Sequence, residues 1–486
     1  MLALSEGLKW SPLKVNIKNC DHFMANDKIE GFNGVLLHPS LDIKDGLLVL
    51  GFRYRLSSKE EKNVFLVAKN TGIEMTHSDS FEWSNKTFFF ENKGRMLNRL
   101  DERWGVAELQ QFLDNQATSQ DESPRQVFER IRELLSRYLE LEKDTDYNLI
   151  AAWIIGTYLF PIFYAYPFLN IKAPKRSGKS QLLNILSQLC FNAVKARPSL
   201  AALGDTVDSL RGTVLLDQAD SLDRKESLEL LDILADSYKK IGGKRRVITF
   251  DKGKNRTVQE FETYSPKAFA SIKEIPEDLR DRCLIIPLIR SSKNFLDPDD
   301  GNENWRQIRG LLYKLAISHY QIISTTYAVR KIEYKEKQDI LGRTLELWLP
   351  FEVILEVTGM ADIISEAKKR FLSGYGFAEY EPSVVEEAVI VKLRDILDEN
   401  SSHILSPKQI SEQLDSDIFG GDATSQQRAA KVGWAIKKFN LASEKRPRTK
   451  DGVCYLFEKI KIETIYNSYF KKAIEPTSTT LEPPSG

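Results

Sequence analysis

The eight residues Ala173-Pro-Lys-Arg-Ser-Gly-Lys-Ser180 lie between an apolar run that ends near Ile171 and the amphipathic stretch Gln181–Leu189. Few folds accept an apolar run, a short basic loop closing on Gly-Lys-Ser, and then a helix. The run must be a buried strand, and the loop must turn from its carboxyl end into the helix. Loop amides and a helix N-terminus direct positive dipoles at phosphate oxygens. Lys179 reaches the terminal phosphates of a nucleotide, and the Ser180 hydroxyl holds Mg²⁺. Ala173 stands where such loops usually open on glycine. Pro174, Lys175, Arg176, Ser177, Gly178 and Gln181 complete the expected cradle, for which ATP with Mg²⁺ is the expected ligand.

A second motif must supply a metal carboxylate. In Thr213-Val-Leu-Leu-Asp217, about 40 residues on, an apolar strand delivers Asp217 to the sheet edge. Many ring ATPases follow this aspartate with a glutamate that activates the attacking water. This chain has Gln218. An amide is no general base, so several readings stay open. Hydrolysis is slow, Asp220 substitutes, Gln218 only orients water, or a Glu→Gln change traps bound nucleotide.

The residues from Leu149 to Ile171 carry no charge. Their length suits a membrane span, but Pro161 and Pro167 interrupt them and the phosphate loop follows at once. We read a buried helix (about 147–160), a bend and a buried strand (about 167–172), and expect no membrane association. Four scattered cysteines without a CxxC pair favour a reducing compartment. Met1–Trp10 lacks the pattern of a signal peptide, and a cytoplasmic protein is expected. Cys20 and His22 alone do not make a zinc site.

The expected organisation is an N-terminal mostly β domain (1–115), a helical linker (116–144), an α/β nucleotide-binding core (145–290), a helical lid (291–375), a C-terminal domain (376–472) and a disordered tail (473–486). Strand-like runs such as Gly46–Arg55 and Asn63–Ala68 mark the first domain. Ser123-Pro124 and Ser406-Pro407 each place an N-cap before a first-turn proline.

With both motifs in place, residues 145–360 resemble AAA+ ATPases. The resemblance is closest to the helicase-like branch carried by mobile elements, akin to minichromosome-maintenance helicases. It implies an AAA+ P-loop NTPase core. The strand Lys267-Ala-Phe-Ala-Ser271 resembles the first sensor strand, with Ser271 as the sensor. In Ile275–Ile286 an arginine would reach the neighbouring subunit's ATP, Arg282 being the first choice and Arg280 the second. Arg343 resembles the second-sensor arginine of the lid. The resemblance further implies a ring, in the first instance a hexamer. A hairpin, Lys244–Asp251 with Arg256–Thr263, would line its pore. Lys252 and Lys254 at the tip would grip the phosphates of single-stranded DNA.

Three helices (the third spanning Thr424–Phe439) precede a hairpin over Leu441–Phe457 whose loop reads as Glu444–Gly452. That is a winged-helix pattern, similar to helix-turn-helix DNA readers. The chain holds 69 basic and 69 acidic side chains, yet the balance is uneven. Residues 386–427 hold three basic and nine acidic side chains, and 428–472 hold twelve and four. Arg428, Lys431, Lys437 and Lys438 on the third helix, with Lys445, Arg446, Arg448 and Lys450 on the wing, would face duplex DNA. An ATP-dependent DNA helicase or translocase of a mobile genetic element is therefore expected. The alternative is an ATP-gated DNA-binding regulator or loader with weak or no hydrolysis.

Overall fold

The computed structural model describes residues 34–55, 60–91, 97–114, 122–172, 178–196, 204–217, 219, 222, 228–250, 256–272, 275–288, 295–298, 303–337, 340–374, 384–398, 401–420, 423–439, 441–449 and 452–470. The first strands are β1 (Gly34–Leu37), β2 (Leu41–Lys44), β3 (Leu47–Arg55), β4 (Glu61–Lys69), β5 (Gly72–Thr76), β6 (Ser80–Trp83) and β7 (Lys86–Phe90). Strands β2-β3-β4-β5 form an antiparallel meander. A second sheet, β1-β7-β6, pairs β1 parallel to β7. Side chains alternate along a strand, and β3 is buried on both faces. Leu47 and Val49 pack with Leu37 and Phe88. Leu48, Leu50 and Phe52 join the main core. Hence Leu47–Phe52 reads as an unbroken apolar run.

Two helices not expected from the sequence, α1 (Leu100–Arg103) and α2 (Val106–Asp114), close this stretch. In α3 (Pro124–Tyr138), Ser123 and Gln126 form a reciprocal capping box, and Val127, Phe128, Ile131, Leu134 and Leu135 are buried. The N-terminal sheet is continuous with the core of the rest. The Tyr320 hydroxyl donates to the carbonyls of Gly46 and Ala68 at 2.9 and 3.0 Å, and Trp104 stacks on Tyr313.

The centre comprises α4 (Asp144–Gly156), β8 (Phe168–Lys172), α5 (Lys179–Leu189), β9 (Val194–Ala196), β10 (Val214–Leu216), α6 (Leu228–Asp236), β11 (Lys244–Phe250), β12 (Arg256–Glu262), β13 (Lys267–Ser271), α7 (Glu277–Arg280) and β14 (Cys283–Pro287). Five of these strands make a parallel sheet in the order β14-β8-β13-β10-β9. A parallel sheet covered on both faces buries its strands, and β13 is buried along its whole length and β8 as far as Ile171. The uncharged run is accounted for by burial inside the protein. From Leu149 on, α4 is buried on all sides. Trp153 Nε1 donates to the Pro167 carbonyl at 2.8 Å, and the Tyr166 hydroxyl to that of Trp153 at 2.7 Å. Among the described residues no helix is long and apolar enough to cross a membrane.

Next come α8 (Trp305–Lys337), α9 (Gly342–Val357) and α10 (Ile364–Gly374). Arg370 of α10 pairs with the buried Asp146 of α4 at 2.6 Å and donates to the Ile285 carbonyl of β14, so α10 is held against both.

The last elements are α11 (Val384–Asp398), β15 (Ser402–Leu405), α12 (Pro407–Glu412), α13 (Ser425–Lys438), β16 (Glu444–Thr449), β17 (Gly452–Glu458) and α14 (Lys459–Phe470). They share a separate core that includes Val389, Leu393, Ile410, Val432, Ile436 and Phe457. Ser406 and Thr424 head α12 and α13 with capping boxes. One expectation is corrected here: the charged stretch from Glu444 is a strand to Thr449 and not a loop. Its backbone pairs with β17, and Glu444 and Lys445 are exposed. The register slips between Arg446 and Arg448, around a proline with no N–H to donate. Strand β15, which pairs with β17, was also not expected.

Candidate nucleotide site and candidate nucleic-acid surfaces

Gly178 caps α5 at φ 86°, a left-handed conformation that favours glycine. A Cβ there would also meet Leu139 Cδ2 at 3.4 Å. No side chain caps the first amides of α5, so the helix N-terminus presents its N–H groups to an anion. Lys179 is half-buried and Ser180 exposed at this end. Residues 173–177 lie outside the described residues.

Strand register brings the other parts to the same edge. Lys172, the last residue of β8, is level with Ser271, the last of β13. Leu216, the last of β10, is level with Phe269, so Asp217 leaves the sheet within about one residue of that level. Two strand spacings separate β8 from β10, about 10 Å, with β13 between. Helix α5 packs over β9, β10 and β13. Ser271 is buried, and its hydroxyl donates to Asn170 Oδ1 at 3.2 Å. Ser271 is thus fixed to β8, the strand that precedes α5. Gln218 and Asp220 lie outside the described residues.

A cleft of roughly 410 Å³ opens at the head of α5, lined by Gly178–Gln181, Asn184 and Phe295–Asp297. Gln181 Nε2 donates to the Leu296 carbonyl at 2.6 Å and ties that wall to the helix. The wall was missed from sequence, because only the fold brings residues 295–297 against α5. The donor set fits a metal-bound nucleotide. Ser180 and Asp217 are hard oxygen donors, beside a lysine and an uncapped helix end.

Arg282 and Arg343 lie elsewhere. Arg282 precedes β14, whose first residue pairs with Phe168 and whose last pairs with Lys172. Arg282 is therefore about 16 Å along the sheet from the phosphate-loop edge. Both arginines share one carboxylate. Arg282 pairs with Asp281 at 2.7 Å, and Arg343 contacts its other oxygen. Both guanidinium groups also lie over the Tyr238 ring, at 5.2 and 5.7 Å. Arg280 ends α7 half-buried. Neither Asp281 nor Tyr238 was singled out from sequence: the place of Asp281 between two arginines was a usable signal, and Tyr238 carried none.

The hairpin β11–β12 is antiparallel throughout. Its stem charges are partly paired: Lys244 and Arg246 share Glu260, at 2.6 and 3.1 Å, and Arg245 pairs with Glu229. Hydrogen bonds from Lys244 and Arg246 lower the Glu260 carboxyl below its ordinary range. Lys252 and Lys254 lie outside the described residues. The hairpin root is tied down by Arg211, which bonds Glu262 at 3.1 Å and Asp42 of β2 at 3.0 Å. Burial disfavours the Arg211 charge, but the two carboxylates outweigh it and keep the group protonated.

On α13, Lys431 and Lys437 are exposed and Arg428 is half-buried. Lys431 Nζ donates to the Phe419 carbonyl at 2.9 Å. Lys445 is exposed, and Arg446 pairs with Glu444 at 2.8 Å. Lys450 and the side chains of Lys438 and Arg448 lie outside the described residues.

No family model matches the chain, and no curated protein matches it. Several solved structures are similar to it. One is the NrS-1 C-terminal region, at 9% identity over 84% of this chain and 96% of that one, TM-score 0.34. Another is a full-length MCM homolog from Methanopyrus kandleri, at 12% over 68% and 78%, TM-score 0.33. A third is SCCmec type IV Cch, an active helicase, at 11% over 82% and 79%, TM-score 0.37. At such scores the chemistry of the site rests on its own geometry.

Proposed function

We propose that the chain is an ATP-dependent DNA translocase or helicase of a mobile genetic element, working as a ring, in the first instance a hexamer. The observation that carries this reading is the shared edge, where β8, β13 and β10 end within about two residues of one level, at Lys172, Ser271 and Leu216, with α5 packed over β9, β10 and β13. Ligands of open α/β sheets bind at such an edge. Lys179 and the α5 amides hold the nucleotide's phosphates, and Ser180 and Asp217 hold Mg²⁺. Bound Mg²⁺ supplies charge neutralisation as the phosphoryl group transfers. The mobile-element setting rests on the resemblance of residues 145–360.

Arg282 and Arg343 are too far along the sheet to reach the phosphates of their own chain. They act on a neighbour's nucleotide, which makes a single chain incomplete. Lys179→Ala and Arg282→Ala chains are each expected to be inactive alone. An equal mixture is expected to recover about a quarter of wild-type phosphate release, since a quarter of the interfaces pair an intact loop with an intact arginine. A mixture no more active than its parts removes the trans role.

One observation favours a second reading, an ATP-gated DNA-binding regulator: an amide follows Asp217. Gln218→Glu decides between them. As a motor with slow chemistry, the protein is expected to gain about a hundredfold or more in DNA-stimulated turnover. A variant that binds ATP and DNA normally yet hydrolyses no faster leaves the regulator.

A further inference from the structure

Helix α13 carries a feature that neither the phosphate site nor the pore hairpin uses. Val432, Ala435, Ile436 and Phe439 face the C-terminal core. On the opposite face Gln427, Lys431 and Trp434 follow at i, i+4 and i+7. Trp434 is 56% exposed. A large aromatic ring at the centre of an outward helix face costs stability, through apolar area left in water, unless something covers it. Lys431 is exposed beside it and Lys437 borders it. The helix contains no acidic residue.

We infer that Trp434 is a contact to duplex DNA, with the Gln427-Lys431-Trp434 face of α13 seated in the major groove. The inference rests on the DNA-binding reading above and names the occupant of this face. Charge selects the occupant: lysines are depleted at the centres of protein–protein interfaces, whereas a duplex offers phosphates on either side of a groove wide enough for a helix. Lys431 and Lys437 meet phosphates and set register. Trp434 meets base edges and thymine methyls.

The test is titration of a short fluorescent duplex with full-length protein across a salt series. The variants are Trp434→Ala, Trp434→Tyr and the double variant Lys431→Ala, Lys437→Ala, with thermal melting of each. Trp434→Ala is expected to bind about tenfold more weakly at every salt concentration, with an unchanged salt slope. Trp434→Tyr is expected to recover part of the loss. The double lysine variant is expected to lower the slope by about two. Equal duplex affinity for wild type and Trp434→Ala overturns the inference alone. A changed sedimentation coefficient with that equal affinity assigns the face to a second copy of this chain, and also overturns it. Failure of the wild type to bind duplex at low salt defeats the DNA-binding reading of this domain itself. If Trp434→Ala melts early, the tyrosine variant decides: full wild-type slope with weakened affinity supports the contact, and wild-type affinity overturns it.

Discussion

Lys179→Ala is expected to weaken ATP binding about a hundredfold, the loss of a charged hydrogen-bonding group from a phosphate site. Lys179 is the first residue of α5, after a glycine held at positive φ, so its amine is presented by backbone geometry and not by packing. The substitution removes nothing from the core formed by Leu182, Leu183, Ile185 and Leu186 on the same helix. Thermal stability without nucleotide should therefore match wild type. Equilibrium binding of a fluorescent ATP analogue measures the loss. An unchanged affinity would move the nucleotide away from this helix end.

Arg211→Ala is expected to cost about 3–5 kcal/mol, the range for removing one partner from a buried ion pair. The side chain is 15% exposed and binds carboxylates from two regions, Asp42 of β2 and Glu262 of β12. It also donates to the Leu41 carbonyl at 2.9 Å. Its loss leaves Glu262 without that partner at the root of the hairpin. The residue stands just before β10 at φ 46°, so one side chain links the N-terminal sheet, the Asp217 strand and the hairpin. The urea midpoint should fall while the slope stays constant. Arg211→Lys should fall between, because a single ammonium cannot fork between two carboxylates. A variant with the wild-type midpoint would show that the junction is not a source of stability.

Sequence and structure agree where local chemistry is strong. The helix α5, both proline-capped helices, the strand β13 and the two strands of the hairpin were legible because capping residues, glycines and apolar runs act over a few positions. The helix end at Gly178 was legible for the same reason. What was not legible depends on distant pairing. Residues Glu444–Thr449 look like a polar loop, and they form a strand because β17 offers hydrogen bonds, a property of its partner. In sequence, Arg343 resembles the second-sensor arginine of the lid. Its position beside Asp281 and Tyr238 depends on contacts between residues far apart in the chain, which no local pattern encodes. The wall at Phe295–Asp297 is of the same kind. The basic surplus in 428–472 was countable, but its partition into paired residues such as Arg446 and exposed ones such as Lys437 needed coordinates.

Phosphate release from wild-type protein, with and without single-stranded DNA and beside Asp217→Asn, tests the central claim most directly. The expected result is slow release that DNA accelerates and that Asp217→Asn abolishes. Release indifferent to DNA, or release that survives Asp217→Asn, would contradict it.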